Sequence, residues 1–143
     1  MTNIVVGVDG GASKTRVIVA DASGAELASV TGVASAVKPG EASESAEVIA
    51  RLVGEALAAC DMEEAMPSAL CVGIAGVGRD AEYSAFEEAL SGRNLADELV
   101  VLPDAVIALN DAFGEEAGIV LIAGTGSMAY GRGPSQKMAR CGG

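Results

Sequence analysis

The stretch IVVGVDGGASKTR, residues 4–16, decides how the fold begins. Its apolar run over 4–8 predicts a short buried β-strand. An aspartate, two glycines, small hydroxyl residues and a lysine come next, and the β-rich run over 15–21 predicts a second strand. The pattern therefore predicts two strands joined by a Gly-rich turn. A plain polar turn and a phosphate-binding turn both fit this composition.

Further strands and helices follow in an alternating order. The predicted elements are a strand over 25–32, a helix over 43–60, a strand over 69–76, a helix over 79–92 with Asp80 as N-cap, a strand over 98–102, a helix over 104–114, and a hairpin of strands over 118–124 and 128–132. The polar tail over 133–143 is assigned no element. The order βββ-α-β-α-β-α followed by a hairpin predicts an α/β fold with a mixed five-stranded sheet.

The charge balance excludes several classes of partner. The 143 residues carry 9 Lys and Arg against 20 Asp and Glu, a net charge of −11, and no basic cluster. We therefore expect neither nucleic acid nor an anionic membrane as partner, since both require clustered cations. A nucleotide stays possible because it needs only a local cradle and a metal ion. The absence of histidine excludes a Ser-His-Asp triad.

The three cysteines are too dispersed to indicate a disulfide framework or a metal site. Cys60, Cys71 and Cys141 are odd in number and form no CxxC pair. They predict idle thiols in a reducing compartment. Because no leader or membrane span is apparent either, a cytoplasmic location is expected.

Two Gly-rich turns carry the groups that a phosphate needs. In the first, Gly10 and Gly11 allow close approach, Ser13 and Thr15 offer hydroxyls, and Lys14 adds a charge. The second is GTGS over 124–127, which also follows an apolar run. Neither is a Walker loop or a dinucleotide fingerprint. Their joint occurrence favours phosphate binding over two unrelated hairpin turns.

Two aspartates stand where chemistry could use them. Asp9 ends the first strand, so it either assists Mg²⁺ beside bound phosphates or accepts hydrogen bonds from its own turn. Asp104 follows Pro103 and opens a predicted helix. It is either an N-cap or a base that deprotonates a hydroxyl attacking a γ-phosphate, and the two roles are compatible.

Four ordered motifs resemble one known family. GVDGGASKTR, VGIAGVGRD, LPDAVIAL and IAGTGSMAYGR are similar to segments of the BadF/BcrA-type ATPases, which include N-acetylglucosamine and glucosamine kinases of the sugar kinase/Hsp70/actin superfamily. The resemblance implies a ribonuclease-H-like, actin-like ATPase domain over 1–116. It also implies the start of a truncated second actin-like ATPase domain over 117–143. ATP, with Mg²⁺, would lie between two such domains.

The resemblance also implies roles for single residues. Asp9 corresponds to the acidic residue near the metal, and Asp104 to the base on the sugar hydroxyl. The first phosphate loop corresponds to Gly10, Gly11, Ala12, Ser13, Lys14 and Thr15, the second to Gly124, Thr125 and Gly126, and the substrate contacts to Asp104, Ser127 and Met128. Three sugar contacts of N-acetylglucosamine kinases, an Asn, a Ser and a second Asn, fall here at Ala36, Ala75 and Met128. The identity of the sugar is therefore left open.

These observations predict an ATP-dependent kinase for a hydroxyl of an amino sugar. The chain is expected to be an N-terminal part that is inactive alone, with a sugar and ATP as small-molecule partners and a homodimer as its assembly. One alternative is an ATPase activator of acyl-CoA dehydratases or benzoyl-CoA reductases, which requires cysteines placed for an iron–sulfur cluster. The other is a non-catalytic nucleotide- or sugar-binding domain.

Overall fold

The computed structural model describes residues 3–123 and 127–142. The chain divides into two compact units, Met1–Pro103 and Asp104–Gly143. The helix that opens at Asp104 thus falls in the second unit, whereas the sequence assigned it to a first domain ending at 116. Its contacts with the hairpin strands explain the grouping.

A mixed five-stranded sheet forms the first unit, as predicted. Its elements are β1 Ile4–Gly10, β2 Lys14–Asp21, β3 Glu26–Val33, α1 Ala42–Ala58, β4 Ala69–Ile74, α2 Asp80–Ser91 and β5 Glu98–Pro103. The strand order is β3-β2-β1-β4-β5. The first three strands pair antiparallel, and β4 pairs parallel with both β1 and β5. The carboxyl ends of β1 and β4 therefore meet at one edge of the sheet.

The core lies on one face of this sheet, where α1 packs against β1, β2 and β3. Burial alternates along β1, with Ile4, Val6 and Val8 inside, because successive side chains of a strand point to opposite faces. The apolar stripe of α1 that the 3.6-residue period predicts is buried as well. Each of its buried Ile, Leu and Val side chains contributes about 1.5–3 kcal/mol. Gly32 lets α1 approach β3, since a Cβ there would overlap Leu52.

The predicted N-cap of the second helix was wrong by one residue. Arg79 occupies the N-cap position with extended backbone, φ −114° and ψ 145°, and Asp80 is the first helical residue. Its carboxylate still lies in the first turn, where the helix dipole favours a negative charge. The preference of Asp for N-cap positions therefore located the N-terminus of α2 to within one residue but did not identify the capping residue.

The second unit contains one helix and a three-stranded antiparallel sheet. Its elements are α3 Asp104–Phe113, β6 Gly118–Ala123, β7 Ser127–Arg132 and β8 Met138–Gly142, with the strand order β6-β7-β8. The sequence missed β8. The Gly-Pro-Ser stretch after β7 reverses the chain, with the Gly133 N–H bonded to the Lys137 carbonyl at 2.9 Å and Gln136 at φ 65°. That turn signal preceding a short run was the clue to β8.

Among residues 3–123 and 127–142, no helix has the length and apolar character needed to cross a membrane.

Candidate phosphate and substrate site

The turn after β1 is tied to the loop after β3. The Gly11 carbonyl accepts hydrogen bonds from the Ser35 and Ala36 N–H groups, both at 3.1 Å. The Gly11 N–H donates across the turn to the Lys14 carbonyl at 2.9 Å. Both backbone groups of Gly11 therefore hold the turn in shape, and its predicted contact with a phosphate stays a prediction.

The loop after β4 joins the same constellation. The Ala75 N–H donates to the Gly10 carbonyl at 2.8 Å, and the Val37 N–H donates to the Ala75 carbonyl at 2.9 Å. Gly76 has φ +91°, and a Cβ there would overlap the Val37 carbonyl oxygen. Three loops thus meet at the carboxyl ends of β1 and β4, where open α/β sheets bind ligands.

Two of the predicted turn residues lie inside the protein. Gly10 is buried, and a Cβ on it would come within 2.6 Å of the Ser35 hydroxyl oxygen. Thr15 has no exposed surface, and its hydroxyl lies 2.7 Å from the Val33 carbonyl and 2.6 Å from the Ser35 hydroxyl. Gly10 and Thr15 therefore build the base of the turn, and their proposed contacts with a phosphate stay a prediction.

The remaining turn residues face solvent. Ala12, Ser13 and Lys14 are exposed. Within the described part of the chain, neither the Ser13 hydroxyl nor the Lys14 ammonium has a hydrogen-bond or ion-pair partner. A hydroxyl and a cation are thus exposed on adjacent residues of a hydrogen-bonded hairpin turn, and a phosphate site uses donors of these two kinds.

Asp9 lies on the exposed face of β1, next to this tip. It pairs in register with Arg16 of β2, but the Arg16 guanidinium lies toward β3, 3.3 Å from the Ser29 hydroxyl and 3.8 Å from the Glu26 carboxylate. Over residues 3–123 and 127–142, no hydrogen bond to the Asp9 carboxylate is found, so its alternative role of bonding its own turn is not seen there.

The donor set around Asp9 fits a magnesium ion better than a protein-enclosed metal. The described residues contain no group of three or more His, Cys, Asp or Glu side chains that could hold a metal. Mg²⁺ is commonly held by one or two carboxylates together with water and substrate phosphates. A single carboxylate with no hydrogen-bond partner among the described residues, beside a turn that is predicted to bind phosphate, matches that pattern.

In the second unit, Asp104 is the first residue of α3 and is half-buried. Its Oδ1 accepts a hydrogen bond from the Ala105 N–H at 2.9 Å, which fixes the carboxylate at the end of the helix. Ser127 is exposed and Met128 half-buried at the start of β7. The predicted phosphate residues Gly124, Thr125 and Gly126 lie outside the described residues.

Sequence reasoning missed two residues that shape the site. Ser35, buried and bonded to Thr15, gave no signal beyond its polarity. Gly76 could have been found, because a glycine that ends an apolar strand before a helix often marks a left-handed turn. Ala36 and Ala75, where the resemblance expected Asn and Ser, both lie in this loop constellation.

The cysteines do not gather into a site. Cys60 donates its thiol to the Ala56 and Leu57 carbonyls, at 3.5 and 3.4 Å. Burial raises the pKa of the Cys71 thiol on β4, and Cys141 is exposed on β8. All three are free thiols.

The chain is similar to members of one known protein family. The profile of the BadF/BadG/BcrA/BcrD ATPase family matches residues 6–143. An N-acetylmuramic acid/N-acetylglucosamine kinase of Clostridium acetobutylicum is 32% identical over 139 residues, 97% of this chain and 45% of that protein. An N-acetyl-D-glucosamine kinase of Dictyostelium discoideum is 28% identical over 151 residues, 98% of this chain and 47% of that protein.

A solved structure from Chromobacterium violaceum, provisionally named an N-acetylglucosamine kinase, superposes with a TM-score of 0.83 at 28% identity. The superposition covers 99% of this chain and 49% of the Chromobacterium violaceum chain. The predicted actin-like ATPase fold is thereby confirmed. The chain spans about half the length of the curated relatives it matches.

Proposed function

The chain belongs to the BadF/BadG/BcrA/BcrD ATPase family, and from that premise we propose that it supplies part of the active site of an ATP-dependent amino-sugar kinase. The transferred group is the γ-phosphate, and the acceptor is a sugar hydroxyl. The observation that carries the proposal is the exposed turn after β1, where the Ser13, Lys14 and Asp9 side chains have no partner among residues 3–123 and 127–142.

The first turn binds the phosphate chain of ATP. The Ser13 hydroxyl and the Lys14 ammonium donate to phosphate oxygens, and charge-assisted bonds of this kind are the stronger class. Gly10, Gly11, Ala12 and Thr15 shape the hairpin so that phosphates can approach its backbone. Gly124, Thr125 and Gly126 form the second phosphate loop in this proposal.

Asp9 would hold Mg²⁺, directly or through water. When bound, the ion would supply positive charge that offsets the negative charge on the phosphate oxygens. Asp9 is suited to this role because its carboxylate is exposed and lies next to the phosphate turn.

Asp104 is the base on the sugar hydroxyl. Its Oδ1 is held by the Ala105 N–H, which leaves the other carboxylate oxygen to accept the hydroxyl proton. Phosphoryl transfer makes little demand on the base, since catalysis rests on positioning and electrostatic stabilisation. Ser127 and Met128 would line the sugar next to it.

The acceptor belongs to the amino-sugar class of the curated relatives. Ala36, Ala75 and Met128 replace the polar contacts that the resemblance leads one to expect. Because a site that loses hydrogen bonds to a substrate loses discrimination, we expect a preference different from N-acetylglucosamine alone.

The test is a sugar-phosphate assay with matched variants. The 143-residue chain, and a fusion of it to the remaining part of the Clostridium acetobutylicum relative, are incubated with MgATP and glucosamine, N-acetylglucosamine or N-acetylmuramic acid. Sugar phosphate is measured by mass spectrometry. Asp104→Asn is expected to lower turnover at least about 100-fold, whereas Asp111→Asn, an exposed acid on the same helix, keeps parental turnover.

Equal turnover of Asp104→Asn and the parent would overturn the role of Asp104. A folded fusion that binds MgATP but phosphorylates none of the sugars would overturn the proposed function. Turnover by the 143-residue chain alone would contradict only the expectation of inactivity drawn from the sequence.

A further inference from the structure

A buried arginine ties α3 to the sheet of the second unit. Arg132, the last residue of β7, is only 9% exposed. Its Nε donates to the Glu116 carbonyl at 3.0 Å, one terminal nitrogen donates to the Asn110 side-chain oxygen at 2.7 Å, and the other donates to the Gly114 carbonyl. All three acceptors lie in the last turn of α3 or just beyond it.

This set of contacts is specific to a guanidinium. A planar fork with five N–H donors can satisfy three diverging acceptors at once, which an ammonium does less well. Two of the acceptors, the Gly114 and Glu116 carbonyls, belong to residues just past the end of α3, and a cation there also suits the negative end of the helix dipole. Within the described residues no carboxylate pairs with Arg132, so the helix end is its counterpart.

These contacts of Arg132, here called the anchor, affect Asp104 through α3. Arg132 bonds to the C-terminal end of this helix, and Asp104 is its first residue. Apolar side chains such as Ala105 and Leu109 bury α3 but give no directional constraint. A ten-residue helix is about 15 Å long, so a tilt of roughly 10° about one end moves the other end by roughly 2–3 Å. A catalytic group must be held within about 0.5 Å of its productive position.

We infer that Arg132 is a positioning residue that fixes α3, and with it Asp104, on the strand that begins at Ser127. The value of this for catalysis rests on the proposed function. The anchor itself does not, since it can be measured without turnover.

The test uses amide NMR of the 143-residue chain. Arg132→Met removes the guanidinium and keeps the aliphatic part of the side chain. Arg132→Lys keeps the positive charge without the planar set of donors. Arg140→Met, at an exposed position on β8, is the matched control. The Ala105 amide, which is bonded to Asp104, reports the placement of that carboxylate.

In Arg132→Met we expect the Ala105 cross-peak to move and the amides of α3 to exchange about 10- to 100-fold faster. The amides of the five-stranded sheet stay unchanged. Arg132→Lys gives an intermediate result, and Arg140→Met matches the parent. In the kinase fusion, Arg132→Met lowers kcat about 10- to 100-fold and leaves the KM for ATP unchanged.

An unmoved Ala105 cross-peak with parental exchange in α3 would overturn the inference. So would equal acceleration of exchange in α3 and in β6–β7, because Arg132 would then support the whole unit and not the helix. If Arg132→Met does not fold, Asn110→Ala decides, since it removes one acceptor only. Parental behaviour of that variant would count against the anchor. An inactive fusion would count against the proposed function only. The amide exchange of α3 in the 143-residue chain decides whether Arg132 anchors the helix.

Discussion

Gly76→Ala is the substitution that most directly probes the packing of the candidate site. Gly76 has φ +91° and lies where a Cβ would overlap the Val37 carbonyl oxygen. Gly24 has a similar φ of +86°, but a Cβ there would meet nothing within 4 Å. Gly24→Ala therefore carries the same backbone cost without the collision, and the two variants form a matched pair.

The magnitude follows from these geometries. A left-handed conformation costs an alanine about 1–2 kcal/mol, and the reduced freedom of the unfolded chain returns about 0.4–1 kcal/mol. Gly24→Ala should therefore lower the free energy of unfolding by between about 0 and about 1.6 kcal/mol. At Gly76 the overlap adds about 1–3 kcal/mol, and displacement of Val37 weakens its 2.9 Å bond to the Ala75 carbonyl, about 1 kcal/mol more.

The assay is urea unfolding followed by far-UV circular dichroism, since the chain has no tryptophan. We expect Gly76→Ala to be less stable than Gly24→Ala by about 2–4 kcal/mol, with equal dependence on urea. A difference below about 0.5 kcal/mol would refute the claim that the loops after β3 and β4 are locked together by this close approach.

Three further outcomes follow from the described contacts. Gly10→Ala should lower the free energy of unfolding by about 1–3 kcal/mol, because the added Cβ would lie 2.6 Å from the Ser35 hydroxyl oxygen. Gly7→Ala is the control, since a Cβ there meets nothing within 4 Å. Equal urea midpoints for the two variants would contradict the packing of Gly10 against Ser35. Alkylation at pH 8 should modify exposed Cys141 well before Cys71, because burial raises the Cys71 pKa and lowers its thiolate fraction, and peptide mapping that finds equal rates would refute this. Leu121 on β6 is 71% exposed and should promote self-association of the chain. Leu121→Lys should therefore lower the molecular mass measured by light scattering. A parent chain that is monomeric at every concentration would rule out the expected dimer.

The five-stranded sheet could be predicted from the sequence because its strands are clear runs of apolar residues. The run that became β4 is apolar throughout, which fits a central strand in parallel pairing on both sides. β8 was missed because MARCG has neither length nor strong alternation, and only its pairing with β7 makes it a strand. Tertiary pairing of this kind leaves little trace in a short local stretch.

For the candidate site, the sequence identified the turn but not the division of labour within it. Ser13 and Lys14 are exposed as a ligand site requires, whereas Gly10 and Thr15 are buried against Ser35. A glycine or threonine in a polar turn looks the same in the sequence whether it faces a ligand or the core. Only the fold, which brings the loop after β3 under the turn, separates the two roles.

The most direct test of the central claim is an amide NMR titration of the 143-residue chain with magnesium tripolyphosphate. The phosphate site proposed here predicts that, in the first unit, the shifted cross-peaks are confined to Asp9–Lys14 and the loops bonded to that turn. Lys14→Met should weaken binding about tenfold, whereas Lys137→Met, an exposed lysine of the second unit, should not. Shifts that avoid the turn after β1, or equal affinity of Lys14→Met and the parent, would contradict the account.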